Sequence, residues 1–223
     1  MSKKTVKNDA EAAAEQAVEQ ATVQSVEFIE KYKKQMIWGA AIVIVVVLGI
    51  FSYSTFYKNP KHEKSLNAMY VAEQQFRADS FAVALQGFEE VIAEYGSNAG
   101  ASAYMYAGVS ALQIGEFEKA IKYLKEYDGE DEILKARSIA NIGDCYVGLE
   151  KYDEAVKYYK QAAQYADNIY TATYYCKAAQ VLESTGKPAE ALEIYKTVQA
   201  KHPNTPEGRE INKYIERAKA AIK

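Results

Sequence analysis

The 223-residue chain contains only two histidines, two cysteines and one tryptophan. His62 and His202 stand at opposite ends of residues 58–223, and neither has a nucleophile or a carboxylate at a recurrent spacing. That excludes the base–nucleophile arrangements of covalent catalysis. The cysteines, Cys145 and Cys176, are far from both histidines and make no zinc-ligand pattern. No glycine-rich phosphate loop follows a strand. Charge of one sign is also lacking: 27 basic side chains face 30 acidic ones, a net charge of −3. All of that excess lies in residues 58–223, which hold 21 basic and 24 acidic side chains. A mildly acidic, mixed surface argues against nucleic acid as the partner. Acid pairs such as Glu89-Glu90 and Glu130-Asp131-Glu132 fall on expected solvent faces or turns. The expectation is a chain with no catalytic site, cofactor, metal, nucleic-acid partner or small-molecule substrate.

What the chain has is a repeat. Alanines at Ala84, Ala120, Ala155 and Ala191 are spaced by 36, 35 and 36 residues. Four residues after each comes a large side chain, Phe88, Leu124, Tyr159 and Tyr195; twelve residues before each comes a small one, Ala72, Gly108, Gly143 and Ala179. A period near 35 residues with fixed small and large positions predicts stacked helix pairs. Small residues let two helices approach closely, and the aromatics fill the space between pairs. Most of the 19 tyrosines, among them Tyr104, Tyr123 and Tyr146, fall at repeat positions and are expected to pack between helices.

Residues 142–162 show the pattern best. Ile139, Ile142 and Tyr146 share one helical face, a short turn follows, and Ala155, Val156, Tyr159 and Ala162 form the facing stripe. Gly115-Glu116-Phe117-Glu118-Lys119-Ala120 and Gly186-Lys187-Pro188-Ala189-Glu190-Ala191 repeat the turn. This order of Gly/Ala, Tyr, turn, Ala, aromatic and Ala resembles the tetratricopeptide repeat (TPR). The resemblance covers residues 65–205 and implies an all-α, right-handed TPR solenoid with copies at about 65–98, 101–134, 136–169 and 172–205. Thr205-Pro206 restarts a helix, and Ile211, Tyr214, Ile215, Ala218 and Ile222 give residues 206–223 the apolar face of a capping helix. In this register Cys145 lies late in one first helix and Cys176 early in the next, offset by about 7 Å along parallel axes. Free buried thiols are expected.

Between Gln35 and Tyr57 there are 23 residues without a charge. As a helix they would span roughly 35 Å, enough for a hydrocarbon core of about 30 Å. Trp38 near one end and Tyr53, Phe56 and Tyr57 near the other suit the interfacial belts. A cleaved signal peptide is the competing reading, but 34 residues precede the stretch, too many for an ordinary n-region. One transmembrane helix over 35–57 is expected, preceded by a polar tail over 1–34 that turns helical near Val26, Phe28 and Ile29, and followed by a linker over 58–64 that Asn59-Pro60 opens. Lysines flank both ends, so charge leans only slightly towards a cytoplasmic N-terminus.

In TPR arrays the first helices of successive repeats line a concave groove. Mapped onto this chain, the resemblance implies a protein-binding face made by Met69, Glu73, Phe76, Met105, Val109, Leu112, Ala140, Asp144, Val147, Cys176, Gln180 and Glu183. Its first half is apolar, with adaptable methionines, and its second half is polar. Met69 and Glu73 occupy positions where chaperone-binding TPRs carry a carboxylate clamp, which disfavours a chaperone-tail receptor. The layout of tail, single span and repeats is similar to the YfgM family of bacterial inner-membrane proteins, with Phe28-Ile29-Glu30-Lys31-Tyr32-Lys33-Lys34 before the span. That resemblance implies a single-pass inner-membrane protein with a periplasmic scaffold domain, and the Sec translocon or envelope chaperones as partners. A structural spacer or oligomerisation domain, or an organelle-surface import receptor, are the alternatives.

Overall fold

The computed structural model describes residues 30–55, 59–165 and 167–222. Two compact units divide the chain at Asn59. The first contains α1 (Glu30–Tyr53), long and apolar enough to cross a membrane, with a mean hydropathy of 2.4 over its most apolar window. None of that window is buried by protein. Of the expected polar tail over 1–34, residues 1–29 lie outside the described residues, and residues 30–34 are already part of α1.

The second unit is built of helices joined by short turns, with no strand among its described residues. Four pairs follow one another: α2 (Asn59–Arg77) with α3 (Phe81–Tyr95), α4 (Ala101–Gln113) with α5 (Phe117–Glu126), α6 (Glu132–Gly148) with α7 (Tyr152–Tyr165), and α8 (Thr171–Ser184) with α9 (Pro188–Lys201). A short 3-10 turn, Gly96–Ala99, joins the first two pairs, and α10 (Pro206–Ile222) closes the array. The expected linker over 58–64 is instead taken up by helix from Asn59. A proline in the first turn of α2 costs no intrahelical hydrogen bond, so Pro60 permits this start.

The small and large repeat positions meet as the period requires. Ala72, Ala179, Phe88, Leu124, Tyr159 and Tyr195 are all buried. A Cβ placed on Gly108 would lie 2.6 Å from Cγ of Leu124, and one on Gly143 would lie 2.8 Å from the Tyr159 ring. In the second and third copies the first helix thus presses a glycine onto the large residue four places after the core alanine. Second helices then pack on the first helix of the next copy, α3 on α4, α5 on α6 and α7 on α8, while α4 touches α6 and α8 touches α10. Ile211, Ile215 and Ala218 of α10 are buried, covering the apolar end left by the fourth pair.

All four intra-repeat turns place the residue five before the core alanine in the left-handed region: Asp79 (φ 55°), Gly115 (φ 80°), Glu150 (φ 57°) and Gly186 (φ 77°). In the third copy the glycine of the turn stands two residues earlier, at Gly148, and Glu150 takes the strained conformation.

Polar contacts also tie neighbouring copies together. Tyr123 Oη donates to Glu89 at 3.0 Å, Lys177 Nζ to Asp144 at 2.7 Å, Lys187 Nζ to Asp153 at 2.6 Å, Thr173 Oγ1 to Glu207 at 2.7 Å and Arg217 Nε to Glu183 at 3.1 Å. The partners are separated by 34, 33, 34, 34 and 34 residues. Each contact joins a residue of one copy to the next copy or, from the fourth copy, to the capping helix.

Candidate functional site

The first helices bring together a cleft of about 350 Å³. Phe76 near the end of α2 forms one wall, and Ser102, Met105, Tyr106 and Val109 of α4 form the base. Tyr127, just past α5, and Leu134, Arg137 and Asn141 of α6 complete it. An aromatic chain stiffens the wall. Phe76 meets Phe81 edge-on at 5.4 Å and Tyr106 at 5.1 Å, while Tyr106 stacks on Phe88 at 5.3 Å. Met105 is 8% exposed and Tyr127 3%, so the floor is set in the core rather than hung on loops.

Three of the twelve expected groove residues, Phe76, Met105 and Val109, line this cleft. Leu112 is half-buried against the same core cluster. Met69, Ala140 and Cys176 are 0%, 2% and 4% exposed, so these three expected groove residues are core residues instead. Their repeat position points towards the neighbouring first helix, and only at Met105 does the cleft open beside it. Glu73 pairs with Arg77 one turn on, at 3.8 Å. Val147 packs half-buried against the C-terminal core cluster, and Gln180 is exposed.

Asp144 and Glu183 hold the polar half together. Tyr159 Oη donates to Asp144 Oδ1 at 2.6 Å, and Lys177 Nζ donates to both carboxylate oxygens at 2.7 and 2.9 Å. Burial, with the Asp144 charge beside it, pushes the Tyr159 hydroxyl well above the ordinary tyrosine range. Tyr195 Oη donates to Glu183 at 2.6 Å, and Arg217 grips both oxygens of that carboxylate. Burial alone would raise the Glu183 carboxyl, but the hydrogen bonds from Arg217 and Tyr195 outweigh it and hold the group below its usual range. Both cysteines are free and buried as expected, and burial pushes each thiol up to about 12.

Ser102, Tyr106, Tyr127, Leu134, Arg137 and Asn141 were not among the expected groove residues. Part of the signal was present, since a 35-residue step maps Ser102 onto Arg137 and Tyr106 onto Asn141. No cluster of His, Cys, Asp or Glu that could hold a metal occurs among the described residues. The arrangement suits contact with another polypeptide: an apolar floor, aromatic walls and a few polar groups at the edge.

Stacked helix pairs, a capping helix and a cleft along the first helices define a helical-repeat scaffold. Residues 72–132 and 135–200 match two tetratricopeptide repeat models, so the chain is a TPR protein. No curated protein sequence matches it at a significant level. Solved structures share the fold. A MamA crystal structure is 18% identical over 72% of this chain and 88% of its own, with a TM-score of 0.53. A putative kinesin light chain from Podosopora anserina with TPR-like repeats is 14% identical over 72% and 87%, with a TM-score of 0.56. A chain of the APC/C hetero-tetramer Cut9-Hcn1 is 19% identical over 69% of this chain and 29% of its own, with a TM-score of 0.54. TPR arrays of this kind are protein–protein interaction scaffolds.

Proposed function

We propose that this TPR protein is a membrane-anchored scaffold that captures other proteins beside a bacterial inner membrane. Its repeats face the periplasm, and it assists envelope protein translocation, chaperoning or complex assembly, as in the YfgM-like layout. One observation carries the proposal: an unburied apolar helix of spanning length stands directly before an array with a preformed apolar cleft. Trp38 and Tyr53 near the two ends of α1 are 72% and 60% exposed, as interfacial anchors would be.

Photocrosslinking in native membranes, followed by mass spectrometry, tests the capture. Changing the partly exposed Phe76, Val109 and Leu112 together to serine should leave the helical signal intact and remove most crosslinked partners. Unchanged capture would place the function elsewhere on the chain. Alkaline phosphatase and fluorescent-protein fusions after Lys223 test the orientation, with phosphatase activity expected and a cytoplasmic-only signal counting against a periplasmic domain.

A second reading, an oligomerising spacer, has its own support. The outer face of the first pair is open, with Val71 66% and Val83 57% exposed beside a shallow apolar groove. Val71→Glu would dissociate oligomers on that reading and leave partner capture unchanged on the first.

A further inference from the structure

We propose that the outer face of the first helix pair joins two copies of this chain about a two-fold axis, and that the assembly closes at two. This rests on the oligomerising reading above and adds to it the symmetry, the number of copies and the contacts. Capture of other proteins by the first-helix cleft does not depend on it.

The later copies show what such a face is built to meet. One residue before the small position stand Ala107, Ile142 and Ala178, all buried; five before it stand Ala103, Ser138 and Tyr174, also buried. The preceding copy covers them. Ser138 Oγ donates to Leu124 O of α5 at 2.8 Å, and Ile142 belongs to the core cluster of the first two copies. In the first copy the same two places hold Val71 and Asn67, and both are exposed. The second helix differs in the same region. Three residues after the core alanine stand Tyr123, Tyr158 and Ile194, but Gly87 in the first copy. That glycine leaves a groove of about 310 Å³ between α2 and α3, with Val71 and Val83 among its lining. The first pair thus presents, open, a face that the later pairs bury.

The two ends of the array are unlike. At the far end Ile211, Ile215 and Ala218 of α10 are buried, while Arg209, Lys213 and Glu216 are exposed. A charged outer face offers an apolar end nothing to pack on, so copies do not add head to tail. Among copies of this chain, an open end can meet only another open end, and such an isologous contact closes at two.

The charges on the face suit self-pairing. Antiparallel α2 and α3 are level at Ala72 and Gly87, where a Cβ on the glycine would lie 2.8 Å from Cβ of Ala72. Val71 is therefore level with the groove. Lys64, two turns before Val71, is level with Glu94, two turns beyond Gly87, and both are exposed. A two-fold axis along the pair lays α2 of one copy on α3 of the other. Each Val71 then fills the groove at the other copy's Gly87, and each Lys64 meets the other copy's Glu94. One face supplies both halves of each contact, as an isologous interface requires. Confinement to one membrane, on the anchored reading, raises the effective concentration of copies, so a modest apolar patch suffices.

Energy transfer between donor- and acceptor-labelled full-length chains in liposomes tests this. Transfer should rise in direct proportion to the acceptor fraction, as it does for a pair. Val71→Glu, at an exposed position, should leave the circular dichroism unchanged and weaken association about a hundredfold, because the axis buries the new charge twice. Lys64→Glu and Glu94→Lys should each weaken it about tenfold, and the two together should restore it. A photoreactive residue in place of Val71 should crosslink the chain in native membranes to a second copy; crosslinks to lipid or to a different protein overturn the self-pairing. Charge reversal without rescue overturns the axis. Association that survives Val71→Glu overturns this face, and a curved dependence on acceptor fraction overturns closure at two; both leave an oligomerising chain. No transfer at any protein density overturns the pairing together with the oligomerising reading, and leaves partner capture by the cleft standing.

Discussion

A Cβ on Gly143 would stand 2.8 Å from Cδ1 of Tyr159, closer than side-chain carbons approach one another. The two residues are the small and large halves of the repeat contact in the third pair. Gly143→Ala should therefore push α6 from α7 at a cost of about 1–3 kcal/mol, or roughly 2–4 °C of Tm per kcal/mol. Glu154→Ala, on the exposed side of α7, should leave Tm within about 1 °C under the surface-substitution rule. Thermal denaturation followed by circular dichroism compares them, and equal losses would show the register to be misplaced.

The strained turn of the third pair makes the opposite prediction. Glu150 sits at φ 57° where the second and fourth copies use glycine. Glu150→Gly should raise stability by about 1 kcal/mol as the left-handed strain is relieved, and Gly186→Ala should lower it by a similar amount. Urea midpoints of the two variants check the signs.

Stability should fall in acid partly through Glu183. Its folded-state carboxyl is held below the usual range, so the stabilisation is complete above the unfolded pKa of about 4.3 and is lost as pH falls through the folded value. Glu183→Gln should lower Tm at pH 7, and the gap from the unsubstituted chain should close progressively below about pH 4. A gap independent of pH would mean that packing, not charge, dominates the site.

The thiols act at the other end of the scale. Cys145 and Cys176 are pushed up to about 12 when folded, against about 8.5 when unfolded. Their contribution is present below pH 8.5 and lost as pH rises towards 12, so alkaline unfolding should precede thiolate formation in the native state. A chromogenic disulfide reagent at pH 8 should modify neither cysteine in the folded chain and both after denaturation. Rapid native labelling of either would contradict the burial.

Tyr159→Phe should cost about 1 kcal/mol by leaving Asp144 short of its buried donor. Lys177→Gln should cost less than about 1 kcal/mol, because its ion pair is partly solvated. A double-mutant cycle of the two would show whether Asp144 couples them.

Periodicity made the helix pairs, the facing of Gly108 on Leu124 and Gly143 on Tyr159 and the register that separates the two cysteines legible, and the apolar face after Thr205-Pro206 did the same for the closing helix. Those features follow from residue size repeated every 35 or 36 positions, and size is written in the chain. An apolar run of spanning length was equally visible, because backbone satisfaction in lipid depends only on length and composition. The tertiary structure decided which first-helix positions reach the groove. Met69, Met105, Ala140 and Cys176 share one repeat position, yet only Met105 lines the cleft while the other three pack in the core. That difference depends on how far neighbouring first helices stand apart, and many side chains set this distance jointly.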